Sequence, residues 1–286
     1  MLTDYLKAIL LGIVEGITEW LPISSTGHLI LLEELLALDT PSRLGEEFAE
    51  QYSSMFSVVI QLGAILAVAV FYFKTLLPTT KGSRALWIKL ALATFPAALI
   101  GLLADALCER AFGKSLDGLL FCPEVVASAL IVYGVLFILV ERLTAKKQSE
   151  VCSVEKITLP TALAVGCFQA LALVPGTSRS GATVLGARIL GIDRRAAAEF
   201  SFFAALPVIA SASALKLADF AQYVADSGTS IPTDALLLLL VSGATAFLTS
   251  LLSIRFLTGF IKKHTFIPFG IYRIILGVAV LMLRGK

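Results

Sequence analysis

Long apolar runs alternate with short polar connections along this chain. Six runs come close to the roughly 20 apolar residues that an α-helix needs to cross a bilayer core. They lie at about 54–73, 86–105, 124–143, 199–218, 235–254 and 266–284. Two further apolar segments, 6–38 and 157–192, are interrupted at Pro22 and at Pro175-Gly176. Because each piece of these segments is too short to cross alone, the pattern predicts two re-entrant helix–turn–helix pairs. The expected fold class is all-α: a polytopic membrane helical bundle of about six spanning helices plus the two pairs.

The two interrupted segments repeat one another at a constant offset of 154. The paired positions are Gly12 with Gly166, Glu15 with Gln169, Ser24 with Ser178, Thr26 with Ser180 and Gly27 with Gly181. In a membrane, non-helical backbone is tolerated only where protein or a water-filled cavity satisfies its polar groups. Two matching breaks therefore predict one integral membrane domain, 1–286, built from repeats at about 1–150 and 151–286. They also point to a site at the repeat interface.

Composition agrees with the hydropathy pattern. The chain is 57% hydrophobic and 15% charged, with a mean hydropathy of +0.89, whereas a soluble domain carries about 25% charged residues. The net charge of +2 argues against nucleic acid as a partner. Residues 1–11 lack the basic stretch and cleavage site of a signal peptide, so we expect insertion to rely on uncleaved apolar segments.

Basic residues fall in alternate connections, as expected for cytoplasmic loops. They are Lys74, Lys81, Arg84 and Lys89, then Arg142, Lys146, Lys147 and Lys156, then Arg188, Arg194 and Arg195, then Arg255, Lys262 and Lys263. Threading these connections puts the first re-entrant pair on the outer face and the second on the cytoplasmic face. Both termini then lie outside, and the two repeats have inverted topology. We therefore expect their tips to meet near the membrane midplane.

The four cysteines show no CxxC or Cys/His spacing, so no zinc site is expected. Cys108 and Cys122 bracket a loop that the threading places outside. They form either a disulfide or two small apolar positions at helix ends, and the sequence leaves both open. It also leaves the oligomeric state open, a homodimer included.

The first break carries two acidic residues. Glu15 and Glu19 are four apart, so on a helix they share a face at about 6 Å. A charged side chain at the bilayer centre costs at least ~2.5 kcal/mol, so the pair predicts a divalent-metal site or a general acid/base pair. The alternative is that the helix lies near the aqueous face, where both carboxylates are hydrated.

Small hydroxyl residues follow Pro22 and predict the start of a new helix. Ser24 and Thr26 suit helix capping, and the exposed N–H groups of a helix start attract anions. Ser25 and His28 are three apart and point to one side. They could act as nucleophile and base, or His28 could act alone. The alternative for His28 is an interfacial histidine bonded to a carbonyl.

The second break, residues 175–183, has the composition of a phosphate site. Glycines let the backbone approach an anion, the hydroxyls of Ser178, Ser180 and Thr183 can donate to it, and Arg179 offers a planar fork to phosphoryl oxygens. No acidic residue stands near Arg179 in sequence, so it needs an anionic partner. The alternative partner is Glu15 or Glu19, in a charge-balancing bridge.

With these motifs in view, the chain resembles the undecaprenyl-diphosphate phosphatases, also called bacitracin-resistance proteins. The (E/Q)xxxE element from Glu15 to Glu19 runs into WLPISSTGHL, and PGxSRSGAT stands at 175–183. The resemblance covers essentially the whole chain. It implies removal of the terminal phosphate of a C55 isoprenyl diphosphate, which regenerates the lipid carrier of bacterial cell-wall synthesis.

The same resemblance implies functional residues, a cofactor and a location. The matching positions are Glu15, Glu19, Ser25, His28, Ser178, Arg179 and Thr183. A divalent cation, magnesium or calcium, and a site that opens to the periplasmic side of the inner membrane are implied as well. A lipid transporter or flippase is the rival from another class, since inverted repeats with broken helices are common there. A pure transporter has no task for the Ser25/His28 pair. An enzyme with the same chemistry on shorter prenyl or other lipid phosphates stays open as a second rival, because the apolar groove that reads the length of the lipid tail has no sequence motif.

Overall fold

The protein is a bundle of α-helices. The structure, a computed structural model, describes residues 2–28, 32, 38–145 and 149–284. The helices are α1 (Leu2–Thr18), α2 (Asp39–Ser42), α3 (Glu46–Val59), α4 (Gln61–Phe71), α5 (Phe73–Leu76), α6 (Lys81–Phe112), α7 (Leu116–Leu120), α8 (Pro123–Thr144), α9 (Leu159–Ala170), α10 (Arg179–Ile189), α11 (Arg194–Ser227), α12 (Thr233–Phe260) and α13 (Ile267–Arg284). Short 3₁₀ turns occur at Val154–Lys156 and Leu171–Leu173, and residues 25–28 form a further helical turn. The all-α prediction is confirmed.

Among the described residues, five helical stretches are long and apolar enough to cross a membrane. They are Glu46–Phe71 (α3 with α4), Lys81–Phe112, Pro123–Thr144, Arg194–Ser227 and Thr233–Phe260. They agree with five of the six predicted spans. The sixth, at 266–284, is the apolar helix α13 of 18 residues, at the short end of the range for a spanning helix. Large apolar side chains also cover the outside of the bundle, among them Leu102, Leu143, Leu240 and Leu252. The chain is therefore a multi-pass membrane protein.

Both interrupted segments fold as helix–turn–helix. In the first, α1 ends at Thr18, four residues before the predicted break at Pro22, because proline has no N–H to donate to the Thr18 carbonyl and its ring clashes with that carbonyl. In the second, α9 passes through the 3₁₀ turn Leu171–Leu173 before α10 begins at Arg179. Of the first pair, residues 29–31 and 33–37 lie outside the described residues, as do the basic Lys146 and Lys147.

The two turns share an unusual backbone geometry at equivalent positions. Ser24 has a φ of 74° and Ser178 a φ of 69°, in the left-handed region that side chains rarely adopt. Each hydroxyl accepts a hydrogen bond from the N–H group three residues later, Gly27 at 3.4 Å and Gly181 at 3.1 Å. Such strain persists only where the surroundings hold it, and it is concentrated at functional sites.

Matching glycines bring a helix from each segment close to a long helix. A Cβ on Gly12 of α1 would lie 2.4 Å from the Ser242 carbonyl oxygen of α12. A Cβ on Gly166 of α9 would lie 2.5 Å from the Ala93 carbonyl oxygen of α6. Small residues allow such close backbone contact between membrane helices. These two contacts hold both turns against the bundle.

Candidate active site

The tips of the two segments touch each other. We call the turn at 19–28 tip 1 and the turn at 174–183 tip 2. The Arg179 Nη2 atom of tip 2 donates to the Glu19 Oε1 atom of tip 1 at 2.5 Å. The Ser180 hydroxyl donates to the Leu21 carbonyl at 3.4 Å. The meeting of the tips is confirmed, and so is the charge-balancing bridge to Arg179, here with Glu19.

The Arg179 guanidinium is held from several sides. Its Nη1 atom donates to the Ser201 carbonyl of α11 at 2.6 Å, and its Cζ atom lies 5.8 Å from the centre of the Trp20 ring. Trp20 in turn packs its ring edge-to-face on Phe202. Trp20 therefore acts as a packing residue that also contacts the Arg179 guanidinium. The Arg179 Nε atom is buried and has no hydrogen-bond partner among the described residues.

Glu15 lies next to this bridge and is fully buried. The helical bond from the Glu19 N–H to the Glu15 carbonyl places the second carboxylate one turn further along, and the two carboxyl groups interact. Neither Glu15 carboxylate oxygen accepts a hydrogen bond from any described residue. A buried carboxylate without a partner is costly. The two carboxylate oxygens of Glu15 are therefore suited to bind a cation or to share a proton with Glu19. The interpretation of hydrated carboxylates on an aqueous face does not agree with this burial.

His28 is fixed at both ring nitrogens. Its Nδ1 atom is 2.7 Å from the Ser24 carbonyl oxygen, and its Nε2 atom is 2.7 Å from the Tyr272 hydroxyl. A carbonyl only accepts, so in neutral His28 the Nδ1 atom carries the proton and the Nε2 lone pair accepts from the Tyr272 hydroxyl. The rings of His28 and Tyr272 also stack at 5.5 Å. Because both nitrogens are engaged, His28 is not hydrogen-bonded to Ser25 in this state.

The hydroxyl residues divide between the tip surface and the interior. Ser25 and Thr26 are partly exposed at the start of the helical turn of tip 1. Ser178 caps α10, and its hydroxyl is 3.1 Å from that of Ser180. Thr183 is buried one turn into α10, where its hydroxyl is 2.6 Å from that of Ser201 and donates to the Arg179 carbonyl at 3.0 Å. It therefore supports Arg179 from within the fold.

A second buried arginine ties the two tips together. Arg273 of α13 is fully buried and donates to three tip carbonyls: Pro22 at 3.3 Å, Gly176 at 2.8 Å and Thr177 at 2.9 Å. The sequence pattern predicted only a spanning helix at 266–284 and indicated no role for Arg273 or its neighbour Tyr272. One feature of the sequence could have found it, because an arginine inside an apolar helix is costly and commonly functional.

Buried polar atoms without partners concentrate around these tips. Among the described residues they include both carboxylate oxygens of Glu15 and the Nε atoms of Trp20, Arg179 and Arg273. Native structures leave few such atoms, and each needs an explanation. A ligand with both negative oxygens and a bound cation would satisfy acidic and basic atoms at once. The arrangement can therefore bind a phosphorylated ligand where the tips meet, and His28 of tip 1 is the candidate base.

Comparison with known proteins gives the family. The sequence profile described as "Bacitracin resistance protein BacA" matches residues 8–279. A relative named undecaprenyl-diphosphatase from Enterococcus faecalis is 44% identical over 99% of this chain and 98% of its own length. Relatives of the same name from Acetivibrio thermocellus and Streptococcus suis are 47% and 45% identical, over 98% and 99% of this chain and 97% of their own lengths. The chain therefore belongs to the bacitracin resistance protein BacA family.

Proposed function

We propose that this membrane enzyme hydrolyses undecaprenyl diphosphate to undecaprenyl phosphate and inorganic phosphate, which recycles the lipid carrier of bacterial cell-wall synthesis. The observation that carries the proposal is the direct contact of the two tips. It joins the buried Glu15/Glu19 pair to Arg179 and the hydroxyl-rich turn of tip 2, and His28 lies on the same turn of tip 1. Full-length relatives at 44–47% identity that are named undecaprenyl-diphosphatase support it.

The diphosphate binds at tip 2 in this proposal. Arg179 and the N–H groups at the start of α10 face the phosphoryl oxygens, because a helix start attracts anions and a guanidinium matches their geometry. The hydroxyls of Ser178 and Ser180, with Ser24 and Thr26 from tip 1, donate further bonds. Arg179 then exchanges its bond to Glu19 for bonds to the substrate, or keeps both with different nitrogen atoms.

Glu15 and Glu19 would hold the divalent cation. Mg²⁺ commonly binds one or two carboxylates and completes its shell with water and substrate phosphate. The unpartnered oxygens of Glu15 fit this task. When bound, the ion offsets negative charge on the diphosphate.

Hydrolysis breaks the bond between the terminal phosphorus and the bridging oxygen. The bridging oxygen leaves with undecaprenyl phosphate, and water supplies the oxygen that completes inorganic phosphate. His28 Nε2 has the lone pair to act as base or nucleophile, because Nδ1 is bonded to the Ser24 carbonyl. Three attacking groups fit the geometry: the Ser25 hydroxyl, His28 itself, or water activated by His28.

The orientation follows from the basic connections. The site opens to the outer, periplasmic side in this proposal, with both termini outside. The repeats at about 1–150 and 151–286 are then inverted copies. Their shared serine geometry and their matching glycine contacts support the repeat, and the basic connections support its orientation.

Phosphate release from C55 diphosphate by the purified protein in detergent tests the function. We expect release that EDTA abolishes and that Mg²⁺ or Ca²⁺ restores. His28→Ala should lose it, whereas His264→Ala, the other histidine of the chain, should retain it. No release from well-folded wild type would favour lipid transport, with the tips as a binding site only.

A rapid-quench experiment distinguishes the attacking groups. Substrate with a radiolabelled terminal phosphate leaves an acid-stable label on the enzyme if Ser25 attacks. It leaves an acid-labile, base-stable label if His28 attacks. Direct attack by water leaves no label at any time point, while phosphate release continues.

A further inference from the structure

An apolar cleft runs along α8 to the edge of tip 2. It has a volume of about 430 Å³ and is lined by Val125, Ser128, Ala129, Val132, Leu171 and Val174, with Tyr133 and Thr177 at its polar edge and Glu124 at the start of α8. From Glu124 to Tyr133 the cleft follows α8 for about 14 Å, given a rise of 1.5 Å per residue. Nothing in the motifs predicts this cleft.

The cleft and the phosphate-binding tip share a wall. Thr177 lines the cleft and precedes Ser178, the cap of α10, in the chain. Its carbonyl accepts from Arg273, whose Cζ atom lies 5.6 Å from the centre of the Tyr133 ring. A ligand whose phosphates bind at tip 2 can therefore continue directly into the cleft.

The outer side of the cleft is open toward the membrane. Val132, Leu171 and Val174 are all substantially exposed although they are large and apolar. A chain much longer than the cleft can thus enter sideways from the bilayer and leave its far end among the lipids. A closed cavity of this volume could not take a 55-carbon tail.

We propose that this cleft binds the first isoprene units of the substrate's polyprenyl chain. The inference rests on the proposed function, in that tip 2 holds the diphosphate. It assigns the recognition of the part of the tail next to the diphosphate, for which the sequence has no motif, to the small residues Ser128 and Ala129 and to their apolar neighbours.

A second cleft provides a matched control. It has about 470 Å³, is lined by Val59, Leu62, Gly63, Leu66, Leu239, Leu240, Gly243, Ala244 and Phe247, and includes no residue of either tip. Ser128 and Ala244 are both small and exposed. Tryptophan at either position therefore fills a cleft of similar size and polarity, but only one cleft adjoins the site.

Kinetics with two tail lengths tests the proposal. Ser128→Trp should lower kcat/KM for C55 diphosphate by at least about tenfold, because several methylene groups of the tail lose their contacts. It should leave hydrolysis of five-carbon dimethylallyl diphosphate at the wild-type rate, because Ser128 lies about 7.5 Å along α8 from Tyr133 at the tip-2 end of the cleft, beyond the reach of a single isoprene unit. Ala244→Trp should leave both substrates within twofold. Equal effects of the two variants on C55 diphosphate, or an equal loss with both substrates in Ser128→Trp, would overturn the proposal.

Photo-crosslinking gives a readout that requires no turnover. With p-benzoylphenylalanine at Val132, radiolabelled C55 diphosphate should label the protein, and excess unlabelled substrate should suppress the label. The same probe at Leu240, in the control cleft, should give no suppressible label. Equal labelling at both sites would mean that any lipid chain fills the clefts, and would overturn the proposal. Specific labelling at Val132 without phosphate release from wild type would instead contradict the proposed hydrolysis, while it would still support binding of the polyprenyl tail in the cleft.

Discussion

Two buried clusters of charged residues differ in how completely their members are paired. One is the triad of Glu141, Arg188 and Arg194, where α8, α10 and α11 meet. Glu141 accepts at one oxygen from Arg188 Nε at 3.2 Å and at the other from Arg194 Nη2 at 2.6 Å. Arg188 also donates to the Ile192 carbonyl at 2.8 Å and to the Thr144 hydroxyl at 2.9 Å. This cluster is satisfied by the protein itself.

The other cluster is at the tips, and it is left incomplete. Glu19 and Arg179 are paired, but Glu15 has no hydrogen-bond donor and Arg273 bonds only carbonyls among the described residues. Burying charges is costly unless their remaining bonds are made. A cluster that completes itself needs no other molecule, whereas an incomplete one is completed by a ligand. The difference between the triad and the tips thus separates a structural role from a functional one.

The largest effect on kcat/KM is expected from Arg179, whose guanidinium faces the phosphates of the substrate in the proposed site. Arg179→Ala should lower kcat/KM by about 10³-fold or more, the scale of losing an arginine that stabilises charge in phosphoryl transfer. Arg179→Lys should remain severely impaired, because lysine lacks the planar fork. Steady-state phosphate release checks both, with Arg195→Ala as control, since the exposed Arg195 side chain pairs with Glu199 and not with a tip residue. Near-normal turnover in Arg179→Ala would remove Arg179 from the phosphate site.

Arg273 should rank second, as a positioning residue. Arg273→Met removes three bonds to the tip carbonyls, and a misplacement of about 1 Å can cost about 10²-fold in rate. We expect the loss mainly in kcat. Arg273→Lys keeps the positive charge but lacks the planar guanidinium, so it should recover little of the lost kcat. Arg255→Met, on the exposed side of α12, serves as control. Full recovery by lysine would show that charge alone matters, and the positioning role would be wrong.

The sequence predicted the elements that depend on local pattern. Apolar length marked five spans, and the repeated breaks marked the two tips and their meeting. It could not supply partners that depend on how distant helices pack. Arg188 and Arg194 looked like ordinary charges of a cytoplasmic connection until the fold placed Glu141 between them. The Ser201 carbonyl that holds Arg179 is a backbone atom, so no residue type could reveal it.

Cys108 and Cys122 both lie near helix ends. Cys108 stands near the end of α6, and Cys122 directly precedes α8. Spacing in the sequence left a disulfide between them open, because a disulfide depends on the distance between the two Cα atoms.

A smaller effect is expected at Tyr272, which belongs to the tip site through one bond. Tyr272→Phe removes the hydroxyl that donates to His28 Nε2 and retains the stacked ring. A hydrogen bond contributes about 1 kcal/mol net, so kcat should fall about fivefold. Tyr223→Phe, in a separate aromatic cluster around Phe220, is the control. A loss as large as that of His28→Ala would mean that the hydroxyl takes part in the chemistry itself.

The smallest effect on turnover is expected from a change in the fully paired triad of Glu141, Arg188 and Arg194. This variant tests the difference between the two clusters most directly. Glu141→Gln leaves the buried Arg188 guanidinium and the partly exposed Arg194 guanidinium without their carboxylate, and breaking a buried pair destabilises by about 3 kcal/mol. The variant should therefore lose its monodisperse peak at a lower temperature in size-exclusion chromatography after heating. Its phosphate release per folded molecule should stay within twofold of wild type, because the hydrogen bonds and ion pairs of the triad among the described residues reach no tip residue. A large loss of kcat with unchanged thermal stability would contradict this. It would mean that a fully paired cluster can still act in catalysis, and that pairing does not separate the two roles.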